Sequence, residues 1–181
     1  MKFFVFIFLF FFSACTDFSK QNKFSQYYNI DSLLNSQIEN LSKSQTVSKV
    51  IYWGDVYEEK KLNSSQINWE KELNSFKNID INKPSNKNIY NIISEYNSIE
   101  YKKLTEDEGI LSLKIIFYKE NAPKRILSTE IESNLLFNSL KKYSFDFDTS
   151  GFITNYSLMD KQKTIFKDTL EYMFFGEVKW N

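Results

Sequence analysis

The chain has 181 residues and balances 23 Lys and Arg against 23 Asp and Glu, with no His, one Cys, two Pro and four Gly. Neutrality removes the electrostatic case for a nucleic-acid partner, which needs a basic face to displace phosphate counterions. The missing His and the lone Cys exclude Ser-His-Asp and Cys-His nucleophiles, His-ligated metals and Cys-type zinc sites, so no cofactor, metal or conventional catalytic set is expected.

Met1 and Lys2 precede ten apolar residues, Phe3 to Phe12, and then Ser13, Ala14 and Cys15. These are the charged, apolar and small-residue regions of a secretory signal, which we place at residues 1–14. The apolar run is too short to cross a bilayer, which takes about 20 residues for roughly 30 Å of hydrocarbon. Its ending resembles the lipobox of bacterial lipoproteins, with Phe12 where Leu is commonest. The resemblance implies cleavage before Cys15, lipid on that cysteine and attachment to a membrane. One acyl chain, at about 0.8 kcal/mol per buried methylene, holds only marginally, and the two or three chains of a mature lipoprotein hold durably. Lipid also removes an unpaired thiol that would be a liability after export. By analogy with enteric bacteria, Thr16 directly after the cysteine implies the outer membrane, facing the periplasm. Surface exposure has only Asp17 behind it, where surface-exported lipoproteins of Bacteroidota carry an acidic cluster.

Residues 15–29, polar with scattered aromatics such as Tyr27 and Tyr28, read as the lipidated cysteine and a tether. A single domain is expected over 30–181, long enough to bury a substantial core. Asp31 is placed to cap a helix running to about Ser44, with Ile30, Leu34, Ile38 and Leu41 along one stripe. The period then falls to two, and Val47, Lys49, Ile51 and Trp53 predict one face of a strand. Ser64 or Ser65 starts a second helix, whose apolar edge is Trp69, Leu73 and Phe76 and which ends before Pro84.

From Asn88 onward, aromatic and β-branched segments alternate with turn signals. Strands are predicted at about 89–95, 98–104, 110–118, 124–132, 141–148, 152–159 and 168–178. Turns fall at Glu106 to Gly109, Asn121 to Pro123, Thr149 to Gly151 and a polar stretch around Lys161 to Lys163. One buried face runs through Leu111, Leu113, Ile115 and Phe117, then Tyr143, Phe145 and Phe147, then Leu170, Tyr172, Phe174 and Val178. The expected fold is α+β: two N-terminal helices packed on a curved, largely antiparallel sheet of about seven or eight strands.

The stretch Trp69, Glu70, Lys71, Glu72, Leu73, followed by Phe76 and then Asp80, Ile81, Asn82, Lys83 and Pro84, resembles a segment of uncharacterised lipoproteins of Bacteroidota. With the lipobox before it, the resemblance covers most of the mature chain. It implies origin and architecture, and carries over no catalytic residue.

Candidate sites are few. The glycines stand alone at Gly54, Gly109, Gly151 and Gly176, so no phosphate-cradling loop exists. Asp146 and Asp148 alternate with Phe145 and Phe147, which would set two carboxylates on one strand face about 7 Å apart. That spacing suits calcium or an acid–base pair, against the plainer reading of a solvated strand edge before Gly151. Glu106, Asp107 and Glu108 lack the donor alternation of an EF-hand and read as an exposed hairpin loop. Asp80 and Asn82 are better placed to fix their turn by side-chain to backbone bonds than to meet a partner. Trp69 and Phe76 read as core. The function expected from sequence is a lipid-anchored, non-enzymatic envelope protein that binds another envelope protein or an apolar ligand. A carrier-like half-barrel for lipid or lipoprotein, and a carboxylate-based hydrolase, are the alternatives.

Overall fold

The computed structural model describes residues 26–119, 121–165 and 169–180; the signal segment, Cys15 and the tether as far as Ser25 lie outside them. The first element is helix α1, Ile30–Leu41. Its N-cap is Asn29, whose side chain accepts from Ser32 N at 2.8 Å, and not the predicted Asp31. The helix buries Ile30, Leu34, Gln37 and Leu41, so the polar Gln37 occupies the inner stripe where Ile38 was expected. Gln37 is paid for by two bonds: its Nε2 donates to Gly151 O at 3.0 Å and its Oε1 accepts from Ile153 N at 3.2 Å.

Strand β1, Thr46–Trp53, turns through Gly54, at φ 58°, into β2, Val56–Asn63. Strand β2 escapes the sequence reading because its centre is Glu58, Glu59, Lys60 and Lys61, without an apolar alternation. It lies at one edge of the sheet, where charged side chains discourage pairing with another chain. The second predicted helix is broken. A 3-10 turn at Ser64–Gln66, a four-residue helix α2 at Trp69–Glu72, and 3-10 turns at Asn74–Ile79 and Pro84–Asn86 replace it. Asn68 supplies the reason at the start of α2: its side chain accepts from Lys71 N at 3.0 Å, ending the preceding turn and beginning a new one. Trp69, Leu73 and Phe76 are buried nonetheless.

The remaining strands are β3 (Tyr90–Glu95), β4 (Ser98–Lys103), β5 (Gly109–Lys119), β6 (Ala122–Ser133), β7 (Phe137–Phe147), β8 (Ile153–Thr164) and β9 (Leu170–Lys179). All seven predicted segments are present. Lys161 to Lys163 belong to β8, however, and the turn into β9 comes later. The nine strands form one open antiparallel sheet in the order β2-β1-β9-β8-β7-β6-β5-β4-β3. Strands β3 to β9 are a meander, and the β1–β2 hairpin joins it along β9. Since β2 and β3 are opposite edges, residues 64–89 must cross from one edge to the other, and they do so over one face.

That face is the core. One rung reads Tyr101, Leu113, Ser128, Tyr143, Leu158, Phe174 and Ile51 from strand to strand, and the next reads Ile99, Ile115, Ile126, Phe145, Tyr156, Gly176 and Lys49. Ile30, Leu34, Trp69, Leu73, Phe76, Ile79 and Ile81 pack on these rungs. The predicted inward row of β5 slips at one point. Leu111 is the extra residue of a bulge between Ile110 and Ser112, so Ile110 is buried and Leu111 only partly so. The domain also takes in residues read as tether. Tyr27 is 5 % exposed, with ring edges against Tyr90 and Tyr101 at 5.5 and 5.4 Å.

Candidate functional site

Asp80 and Asn82, at the end of the crossing segment, hold the chain where it enters the domain. Asp80 accepts from Asn82 N at 2.7 Å, the turn bond expected from sequence, and also from Asp31 N at 2.8 Å in the first turn of α1. Asn82 accepts from Tyr27 N at 2.9 Å and donates to Tyr28 O at 3.0 Å. A carboxylate at a helix N-terminus is favourable to the helix dipole, and these bonds clamp α1 and Tyr27 to the turn.

Asp146 and Asp148 do not converge on a cleft. Asp146 pairs across strands with Arg125, its partner in the β6–β7 register, on the face away from the helices. Asp148 closes the β7–β8 turn by accepting from Ser150 N at 2.8 Å and Phe152 N at 3.0 Å. In the β4–β5 turn, Asp107 accepts from Lys103 and from Thr105 Oγ1, and the Lys103 hydrogen bond, then that of Thr105, holds its carboxyl below the usual range. Among the described residues, no three His, Cys, Asp or Glu side chains come together as a metal-binding group.

The helix-bearing face instead has an open end that the sequence did not mark. Beside α2 lies a groove of about 460 Å³, walled by Ile51, Leu62, Ile67, Phe76, Tyr172 and Phe174. Lys49 and Glu72 meet on its wall at 2.6 Å, their side chains 14 % and 16 % exposed. Tyr156 reaches the same Glu72 oxygen, donating at 2.9 Å, while Lys49 also lies 5.9 Å over the Phe174 ring. Burial, and then the Glu72 carboxylate, pushes the Tyr156 phenol up, so it holds its proton and serves as a donor. The trio ties α2 to the sheet through a satisfied ion pair and leaves no free base.

Beyond the groove, the next rung reads Ile110, Glu130, Lys141, Asp160, Tyr172, Trp53 and Val56. Here the apolar rows give way to charge. Lys141 donates to Glu132 at 2.5 Å, Tyr143 to Glu130 at 2.6 Å and Ser139 to Asp160 at 2.5 Å. Burial opposes the Lys141 charge, but the Glu132 hydrogen bond and the charges of Glu130, Glu132 and Asp160 outweigh it and raise its pKa. A second depression of about 320 Å³, lined by Trp53, Asp160, Gln162, Leu170 and Tyr172, continues the groove through the shared Tyr172. Burial raises the phenols of Tyr28, Tyr90, Tyr143 and Tyr156, which keep their protons and remain donors.

The one available signal was phase. Lys49 shares the apolar face of β1 with Val47 and Ile51, and Asp160 shares that of β8 with Tyr156 and Leu158. Comparison with protein families, with curated proteins and with solved structures finds no match to this chain. Among the described residues, no helix is long and apolar enough to cross a membrane.

Proposed function

We propose that this is a lipid-anchored cell-envelope protein, held to the membrane through Cys15, whose domain binds another envelope protein in the groove beside α2. The observation that carries the binding reading is the pairing of a filled core with an open, half-apolar groove at its edge. The groove offers apolar wall, aromatic rings and a positioned ion pair, the mixture that docking surfaces present. The anchor rests on the lipobox-like end of the signal, and the outer membrane, facing the periplasm, is the address that Thr16 supports.

A small apolar ligand is the variant reading of the same groove. A lipid or lipoprotein carrier fits less well, because side chains from α1 and the crossing segment fill the face that a carrier would keep open. A carboxylate-based hydrolase is the weakest reading, since Asp146 is paired with Arg125 and Asp148 is engaged with its own turn.

Two measurements test the proposal. Mass spectrometry of the mature protein is expected to find Cys15 at the N-terminus with diacylglycerol on its sulfur; a free thiol there, or cleavage elsewhere, removes the anchor. A photoactivatable residue at exposed Lys71, in the groove, is expected to crosslink a discrete partner in the native envelope. The same probe at Thr149, in the β7–β8 turn, is expected to give none. Equal labelling from both positions, or none from Lys71, refutes the groove as the docking site.

A further inference from the structure

Antiparallel order sends the turns after β1, β4, β6 and β8 to one end of the sheet. Hydrogen bonds between them confirm the grouping: Gly54 N donates to Glu171 O at 3.1 Å, and Ile165 N to Leu136 O at 3.1 Å. Turns are ordinarily polar, yet these tips carry Trp53, Val56, Leu104, Leu135, Leu136 and Ile165, each between 61 and 93 % exposed. The opposite end has Asn97, Asn121, Asp148, Thr149 and Ser150 at its turns, with Tyr96 and, at the end of β5, Tyr118 as its exposed aromatics.

The chain also enters at the apolar end. Gln26 Nε2 donates to Asn88 Oδ1 at 2.9 Å, and the adjoining Ile89 O accepts from Leu104 N at 2.9 Å, beside the β4–β5 turn. The segment from Cys15 to Gln26 spans at most about 40 Å when fully extended. Strands β6 and β8, at 12 residues each, are about 40 Å long themselves. Bringing the polar end to a bilayer would require nearly all of that reach drawn straight along the sheet. Bringing the apolar tips there requires almost none.

We infer that the hairpin-tip end docks on the bilayer that holds the anchor, with Trp53, Leu135, Leu136 and Ile165 set into the interface and the groove opening beside the membrane. Amphipathic Trp and bare Leu and Ile side chains are suited to the headgroup–acyl boundary. The contact is apolar and not electrostatic, since Glu106, Asp107 and Glu108 stand at the same end and would repel an anionic surface. The inference rests on Cys15 being the point of attachment, and its test is built to separate the two.

Because Cys15 is the only cysteine, the mature chain can be coupled through it to a maleimide phospholipid in phosphatidylcholine vesicles, whatever its natural lipidation. With brominated acyl chains in those vesicles, the emission of Trp53 is expected to be quenched and blue-shifted. Buried Trp69, and Trp180 stacked on Phe152 beyond the far end of β9, stay unquenched. Trp53→Phe is expected to abolish the quenching. Leu135→Glu with Leu136→Glu, at exposed positions that leave the fold intact by circular dichroism, is expected to lower the quenched fraction several-fold. Absence of quenching in the coupled protein, or its persistence in Trp53→Phe, overturns the docking whatever the mass of natural Cys15. An unmodified Cys15 overturns the anchor alone.

Discussion

The packing of Tyr156 on Gly176 makes the sharpest stability test. A Cβ added at Gly176 would lie 2.3 Å from Tyr156 Cζ, 2.4 Å from Cε1 and 2.7 Å from the phenol oxygen, where ordinary contact begins at 3.4 Å. The ring must therefore move by about an ångström, and it has nowhere to go. Trp69, Phe76 and Phe174 surround it with ring centres 6.1, 5.9 and 5.5 Å away, and it is fully buried. Overpacking of this kind costs about 1–3 kcal/mol. A displaced phenol also loses its 2.9 Å bond to Glu72, and hydrogen bonds to charged groups contribute about 1.5–3 kcal/mol each. The two terms share one displacement and do not add fully, so Gly176→Ala is expected to lose about 3 kcal/mol, or roughly 6–12 °C in Tm for a domain of this size. Urea unfolding followed by circular dichroism measures it, with the midpoint falling at unchanged slope. In a Tyr156→Leu background the obstruction is gone. There Gly176→Ala should be neutral or stabilising by about 0.5 kcal/mol, because Ala loses less backbone entropy than Gly in a strand. A Gly176→Ala cost under about 0.5 kcal/mol, or an equal cost in both backgrounds, would refute the reasoning.

Three further outcomes follow from named contacts. Asp80→Ala leaves Asp31 N and Asn82 N without their acceptor and is expected to cost about 1–2 kcal/mol, with faster hydrogen exchange in the first turn of α1; unchanged exchange there would separate the clamp from helix stability. In alkali, burial first, and then Tyr27 and Asp107, push Tyr90 up to about 12 from 10.0, and Tyr143 and Tyr156 are raised as well. The fold therefore binds these protons more tightly than the unfolded chain does. Their contribution is complete below pH 10 and is lost as pH rises above it, for Tyr90 through about 12, so their phenolate absorbance should appear together with loss of circular dichroism, and ionisation of all three in a still-folded protein would contradict this. Calcium is expected to give no heat and no thermal shift, since Asp146 is held by Arg125 and Asp148 by two backbone amides; a saturable heat lost in Asp146→Asn would reverse that assignment.

The fold was legible wherever side-chain period and burial agree. From Tyr90 onward every strand except β3, of which only Tyr90 is buried, has one face in the core and each turn carries Gly, Asn or Asp, so the seven segments could be read with errors at their ends. The errors have distinct causes. Strand β2 is an edge whose charged centre exists to keep it unpaired, so the feature that makes it safe in the sheet hides it in the sequence. The broken second helix kept its apolar spacing because Trp69, Leu73 and Phe76 meet the core equally well from an α turn and a 3-10 turn. Periodicity reports the buried face, while Asn68 decides where α2 begins. Tyr27 and Gln37 were missed for a third reason: their burial is made affordable by partners 55 and 114 residues away, Asn82 and Gly151.

The site was less legible than the fold, and Lys49 shows why. Its place in the apolar phase of β1 was visible, but that phase says only that a charge enters the core, and gives no partner. Glu72 comes from α2, in the segment that crosses the sheet, and Tyr156 comes from β8, two strands away from β1. A buried charge whose partner is removed is strongly destabilising, by about 3–5 kcal/mol, whereas an apolar pair of similar volume in the same place is often neutral or better. The trio therefore need not persist for stability alone. If Lys49→Met with Glu72→Leu folds as stably as the parent but loses the crosslink from Lys71, the ion pair is a recognition feature of the groove. If crosslinking survives in that folded double variant, the pair only fastens α2, and the apolar wall of Ile51, Ile67 and Phe174 carries the binding.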